Sequence, residues 1–188
     1  MNSVVLQQPG TIVFGEDSIQ QLAEYRFITS SGQILMLVAT PLLGALAPSV
    51  DAIKASGKKV ELVEYNFPGE PTFAQFDTLL AISEKFNPDC IIGVGGGSVL
   101  DCSKLLAALT GNTQKLAEVV GIGILNGRNR KLICVPTTSG TGSEMSPNAI
   151  LLNEATLAKS GIISPYLVPD ACFIDPVLTA SLPATLTA

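Results

Sequence analysis

The residues from Ile91 to Lys104 join an apolar run to three consecutive glycines and then resume at helical spacing. That pattern suits the capture of a phosphate. Glycines lack Cβ, so they let the backbone approach a ligand closely and adopt positive φ, while the N–H groups and positive end of a following helix attract anionic oxygens. Gly95, Gly96, Gly97 and Ser98 form the expected cradle. Asp101 stands one turn into the helix, where it could accept from loop amides or from a ribose hydroxyl. The alternative is a tight strand-to-helix turn in which Asp101 is favoured by the helix dipole alone. The spacing is G-x-G-G-G-S and not G-x-G-x-x-G, so the usual dinucleotide fingerprint does not apply.

A second polar run, Pro136-Thr137-Thr138-Ser139-Gly140-Thr141-Gly142-Ser143-Glu144, follows the apolar stretch Leu132 to Val135. Hydroxyls crowded behind a buried strand are costly unless they find partners, and loops after parallel strands serve ligands. A hydroxyl-capped helix start is the competing explanation. Both bends fall at the carboxyl ends of strands of what should be one sheet, and that coincidence is more specific than either bend alone.

The 188 residues contain no histidine. Imidazole is therefore excluded as a general base or a metal ligand on this chain. Asp170, Asp175 and Glu144 are the carboxylates in suggestive places, and none has a partner at ligand spacing, so no metal ligand is assigned. Cys90, Cys102, Cys134 and Cys172 lie far apart with no C-x-x-C pair, which suits buried reduced thiols in a cytoplasmic protein. A formal charge of -5 without a Lys/Arg cluster gives no footprint for nucleic acid. No apolar stretch reaches the roughly 18 residues of a membrane span, and no leader pattern opens the chain. With 47% hydrophobic residues a packed core is expected, in a soluble protein.

The elements that must carry the two bends alternate between β-rich runs and helical stretches. This is the pattern of an α/β fold with a parallel sheet covered on both faces. Val4 to Leu6 and Thr11 to Phe14 read as edge strands, and Ser18 to Tyr25 as a helix. Ile34 to Ala39 reads as a buried strand, Pro48 to Ala55 as a helix ending at Gly57, and Val60 to Tyr65 as the next strand. Thr72 and Gln75 have capping-box spacing ahead of an apolar helical stripe of Phe73, Phe76, Leu79, Leu80, Ile82 and Phe86. Cys90 to Val94 is the glycine-flanked strand and Val99 to Thr110 its helix. Ala149 to Leu152 and Leu157 to Ile163 form a hairpin, and Ala171 to Ile174 is a last strand. The tail from Leu178 to Ala188 has helix-forming composition.

GGGSVLDCSK resembles the GGGS-x-x-D-x-x-K signature of the iron-containing, group III, metal-dependent alcohol dehydrogenases. PTTSGTGSE resembles the second signature of that family, and KSGIISPYLVPDACFIDPVLTASLPATLTA the stretch that follows. The resemblance implies a Rossmann-like, dehydroquinate-synthase-like N-terminal domain over residues 1–188 that binds NAD or NADP. It also implies a metal-binding helical domain beyond residues 178–188, whose ligands (an aspartate and three histidines) this chain does not reach. Divalent iron or zinc would then act only in the full-length enzyme, polarising an alcohol oxygen for hydride transfer to nicotinamide. On this resemblance Gly95, Gly96, Gly97 and Ser98 cradle the pyrophosphate, and Asp101 supports the loop or the cofactor. Thr137, Thr138 and Thr141 contact the adenosine and diphosphate portion. Lys159 approaches the nicotinamide ribose, and Leu178 packs near the cofactor.

One departure is Thr40, which stands after the strand where many NAD-preferring members carry an acid. It weakens the expectation of NAD over NADP, although no base is nearby to hold a 2′-phosphate. The expected activity is interconversion of a small alcohol and an aldehyde or ketone, with this chain alone inactive and the intact enzyme a homo-oligomer. A dehydroquinate-synthase-like or glycerol-dehydrogenase-like enzyme, or a non-catalytic nucleotide-binding or assembly module, are the alternatives.

Overall fold

A computed structural model describes residues 7–180 and Leu182. In chain order the strands are β1 (Thr11–Phe14), β2 (Gln33–Ala39), β3 (Lys59–Tyr65), β4 (Cys90–Gly95), β5 (Gly121–Ile122), β6 (Lys131–Pro136), β7 (Asn148–Asn153), β8 (Ala158–Ile163) and β9 (Ala171–Ile174). The α-helices are α1 (Arg26–Thr29), α2 (Leu43–Ala55), α3 (Phe73–Phe86) and α4 (Gly97–Leu109), and short 3-10 turns join several elements.

Six strands pair in parallel in the order β1-β9-β6-β4-β2-β3, with α3 and α4 packed on one face and α2 on the other. This is the Rossmann-like α/β fold. Its central strands are apolar throughout because side chains alternate between two cores. Leu35 and Leu37 of β2 join Ile91 of β4 and Leu132 of β6 beneath α3 and α4. Ile34, Met36 and Val38 join Ile92, Val94 and Ile133 beneath α2.

Two glycines of β4 exist for packing. A Cβ on Gly93 would lie 2.3 Å from Ser103 Oγ, and one on Gly95 would lie 2.6 Å from a methyl of Val99. Helix α4 therefore rests directly on its own strand. None of Gly95, Gly96 and Gly97 has positive φ, so close approach and not left-handed backbone is what this bend requires.

A second, three-stranded sheet runs β5-β8-β7, with β7 and β8 antiparallel and β5 parallel to β8. The hairpin is tied to α3: Leu152 N–H donates to Pro71 O at 2.8 Å, and Glu154 at the hairpin turn accepts from Ala74 N–H at 3.1 Å. That carboxylate sits at the positive end of α3, whose Thr72–Gln75 capping box is formed.

Differences from expectation have local causes. Helix α2 starts at Leu43, so Pro48 lies inside it, whereas sequence reading starts the helix at that proline. The Ser18 stretch is a 3-10 helix, Ser18–Glu24. Helix α4 begins at Gly97, two residues before the apolar pattern resumes. The expected strand Val4 to Leu6 and all of the tail beyond Ala180 except Leu182 fall outside the described residues. Among the described residues no helix is long and apolar enough to cross a membrane.

Candidate functional site

The two bends meet at the C-terminal rim of the large sheet. Strands β4 and β6 are neighbours with Gly95 paired to Pro136, and Thr137 N–H donates to Gly95 O at 3.1 Å. A Cβ on Gly96 would stand 3.2 Å from Thr138 Cγ2, and one on Gly97 would stand 2.9 Å from Thr141 Cγ2. Bare glycines thus let the hydroxyl-rich loop close over the start of α4, with Gly97 the stricter requirement. The N-cap residue Gly96 offers no side-chain cap, so the first-turn N–H groups of a 13-residue helix are left for an incoming anion.

Two pockets adjoin at Gly97 and Ser98. The inner one, about 210 Å³, is walled by Asp101, Thr141, Ser143, Ile150 and the Glu70–Lys159 pair. The outer one, about 440 Å³, is walled by Thr40, Tyr65, Phe67, Gly96 and Val99. The inner pocket is smaller than a typical cofactor site, and an extended molecule lying across the shared glycines would use both.

Gly96, Gly97, Ser98, Thr40, Asp101, Thr141 and Lys159 thus line one continuous cleft. Thr138 is half-buried against Gly96. Gly95 and Thr137 are buried beneath the rim and hold it together. Leu178 lies apart, lining a third pocket with Ile19, Pro48 and Asp175.

Asp101 is engaged by the protein itself. Its carboxylate accepts from the Ser143 hydroxyl at 2.5 Å and from Ile150 N–H at 3.0 Å, and it stands 3.6 Å from Lys104 Nζ. Lys104 is fully buried and donates to Asn148 O at 2.8 Å and to Ser146 Oγ at 3.2 Å. Burial pushes the Asp101 pKa up and the Lys104 pKa down, and their mutual attraction opposes both shifts. Together the two side chains brace α4 against the hydroxyl-rich loop and β7. Sequence reading left Asp101 between loop and cofactor, and it had no signal for Lys104 as a brace because every partner is more than 40 residues away except Asp101.

Lys159 is exposed and pairs with Glu70 at 2.5 Å, spanning the mouth of the inner pocket from β8 to the turn after β3. Thr40 donates to Tyr65 O at 3.2 Å, and no charged residue lines the outer pocket beside it.

The remaining candidates are satisfied elsewhere. Asp175 accepts from Asp17, Ile19 and Val177 N–H groups, and Asp170 holds Arg128 at 2.7 Å and Leu132 N–H at 2.8 Å. The four cysteines are free and buried, with burial pushing Cys90, Cys134 and Cys172 up to about 12. Among the described residues no cluster of three His, Cys, Asp or Glu could hold a metal ion, so divalent iron or zinc has no ligand set here. A nicotinamide dinucleotide does fit what is present: a cradle that any Cβ would fill, open helix N–H groups, and a cleft long enough to need two pockets.

Known proteins resemble this chain in sequence and fold. The chain is 32% identical over 180 residues to a sulfoacetaldehyde reductase of Bilophila wadsworthia, covering 94% of this chain and 46% of that protein. It superposes on the NADH-dependent butanol dehydrogenase A of Thermotoga maritima with a TM-score of 0.88 and 29% identity, covering 100% of this chain and 48% of that one. The sulfoacetaldehyde reductase of Bifidobacterium kashiwanohense, solved in complex with NAD+, gives 0.84 and 26%, covering 99% and 50%. The chain thus spans about half the length of these relatives. Residues 9–176 match the family described as iron-containing alcohol dehydrogenase, and the chain belongs to that family.

Proposed function

We propose that residues 1–188 act as the dinucleotide-binding domain of an NAD(P)-dependent oxidoreductase that interconverts an alcohol and an aldehyde or ketone. One observation carries the reading. Gly96 and Gly97 lie bare against Thr138 and Thr141 at an uncapped helix start that lines two adjoining pockets. Relatives named as an NADH-dependent dehydrogenase and a reductase in complex with NAD+ support it.

A bound nicotinamide dinucleotide supplies the hydride acceptor or donor. The chain's own residues bind and orient it. First-turn N–H groups of α4 and the hydroxyls of Ser98, Thr138 and Thr141 take the diphosphate oxygens. The outer pocket by Thr40 receives the adenosine end. The inner pocket leads the other end past Lys159, whose release from Glu70 frees an ammonium for a ribose or phosphate oxygen. Asp101 and Lys104 keep the two bends in register. Leu178 is assigned to the cofactor's surroundings by the family resemblance alone, since it lines a separate pocket with Ile19, Pro48 and Asp175.

Because the adenosine pocket carries neither an acid nor a base, it discriminates weakly between NAD and NADP. We expect these residues alone to bind the cofactor without turning over alcohol; among the described residues no cluster of three His, Cys, Asp or Glu could hold a metal ion. Ile12 and Phe14 are exposed on β1, the edge strand among the described residues, which supports pairing with a second copy in a homo-oligomer. Four buried thiols outside any disulfide support a cytoplasmic setting.

Titration of the protein with NADH and NADPH, followed by nicotinamide fluorescence and by competition with ADP, tests the reading. Saturable binding of both, within about tenfold of each other and displaced by ADP, is expected. No binding of either at millimolar concentration would overturn it.

A further inference from the structure

Tyr65 ends β3 beside the glycine bend and lines the outer pocket with Thr40, Gly96, Gly97 and Ser98. The residue is 7% exposed, and its hydroxyl is buried with no hydrogen-bond partner among the described residues. A phenol O–H taken out of water without a partner costs free energy, so a buried orphan next to a ligand cleft calls for a physical reason. Phe67 packs edge-on against the ring, centroids 5.1 Å apart at 85°, which fixes its orientation.

Ser98, Asp101 and Cys102, in the first turns of α4, all act on the ionisation of this phenol. Burial raises its pKa, so it stays protonated and is a donor at neutral pH. Asp101 is already occupied by Ser143, Ile150 and Lys104. Cys102 is a weak acceptor. Ser98 is the acceptor left over: it lies near enough to lower the phenol's pKa, yet no well-aligned hydrogen bond joins the two, and it lines both pockets.

We propose that Tyr65 is a positioning residue for phosphate binding: when an anionic ligand enters the cradle, Ser98 Oγ accepts the Tyr65 O–H and turns its own O–H onto a phosphate oxygen. A hydroxyl that accepts one bond becomes a better donor in the next. The inference rests on the reading of this cleft as a dinucleotide site, and its ligand class is the diphosphate of a nucleotide.

The test is a titration of NADH, ADP and adenosine against the protein, Tyr65→Phe, Ser98→Ala and the double variant, with unfolding midpoints measured alongside. Tyr65→Phe should weaken NADH and ADP by about fivefold each and leave adenosine unchanged, and the effect should vanish on the Ser98→Ala background. The midpoint of Tyr65→Phe should not fall, because the variant removes an unpaired buried hydroxyl. A purely structural tyrosine would instead lower the midpoint and weaken adenosine as well. Unchanged NADH and ADP affinities in Tyr65→Phe, or an equal loss with and without Ser98, overturn the proposal while leaving the dinucleotide site standing. Failure of the unaltered protein to bind either nucleotide overturns both.

Discussion

The two rims of the large sheet are built from similar residues and spend them differently. At the N-terminal rim, polar groups are consumed in holding strands together. Asp89 accepts from Gly32 and Gln33 N–H groups at 2.7 and 2.9 Å, Asp170 bridges Arg128 to Leu132, and Lys131 reaches Ser30 at 2.7 Å. At the C-terminal rim, the start of α4 is uncapped, the Tyr65 hydroxyl is unpaired, and the glycines stay bare against threonines. Arg130 Nε is also buried without a partner at the N-terminal rim, so a lone unmade bond does not separate the two ends; what marks the C-terminal rim for a ligand is the gathering of such bonds around an uncapped helix start that lines two pockets. The Asp101–Lys104 brace is the exception that sharpens the contrast, since it is a fully satisfied structural device placed within the binding rim.

The largest effect should come from filling the cradle. Gly97→Val places methyl groups where Thr141 already stands within 2.9 Å of a Cβ. Losing two charge-assisted bonds to the diphosphate costs about 3 kcal/mol, roughly a hundredfold in NADH affinity by fluorescence titration. Unfolding should also register a smaller loss, because Thr141 and its loop must shift to admit the side chain.

Lys104→Ala probes the brace. It leaves Asp101 buried without its counter-charge and strips Asn148 O and Ser146 of a partner, so denaturant unfolding should report a loss of about 3 kcal/mol. A loss of affinity without a loss of stability would mean that Lys104 belongs to the ligand and not to the fold.

The smallest effect belongs to the opposite rim. Backbone hydrogen bonds from Gln33 and Gly32 hold Asp89 below the ordinary carboxylate pKa. A depressed pKa contributes stability that is fully present above the unfolded value, near 4, and is lost as pH falls through the folded one. Asp89→Asn should therefore be less stable at pH 7 and show a shallower acid unfolding limb below about pH 4. NADH affinity should be unchanged, and a change would blur the distinction between the rims.

Much of this was legible because local pattern and tertiary role coincide. The apolar runs behind β2, β4 and β6 admit only strands buried on both faces, and Thr72 with Gln75 announces α3 by its own hydrogen bonds. The two bends were readable as a pair because each follows such a run. Strand β5 was not legible, since two residues carry no periodicity and its pairing to β8 spans about 40 positions. Neither was the capping of α3 by Glu154, which is 80 residues from Ala74. The division of labour among the glycines also needed coordinates. Gly93 and Gly95 serve helix packing and Gly96 and Gly97 line the cleft, yet Gly95, Gly96 and Gly97 read alike in sequence.

The central claim is that the glycine bend and the hydroxyl-rich bend grip one diphosphate together, and amide hydrogen exchange with and without NADH tests it most directly. Slowed exchange in both segments, residues 95–99 and 137–143, is expected, with residues 30–33 and 87–90 at the opposite rim unaffected. Protection confined to one bend, or appearing at the opposite rim, would contradict it.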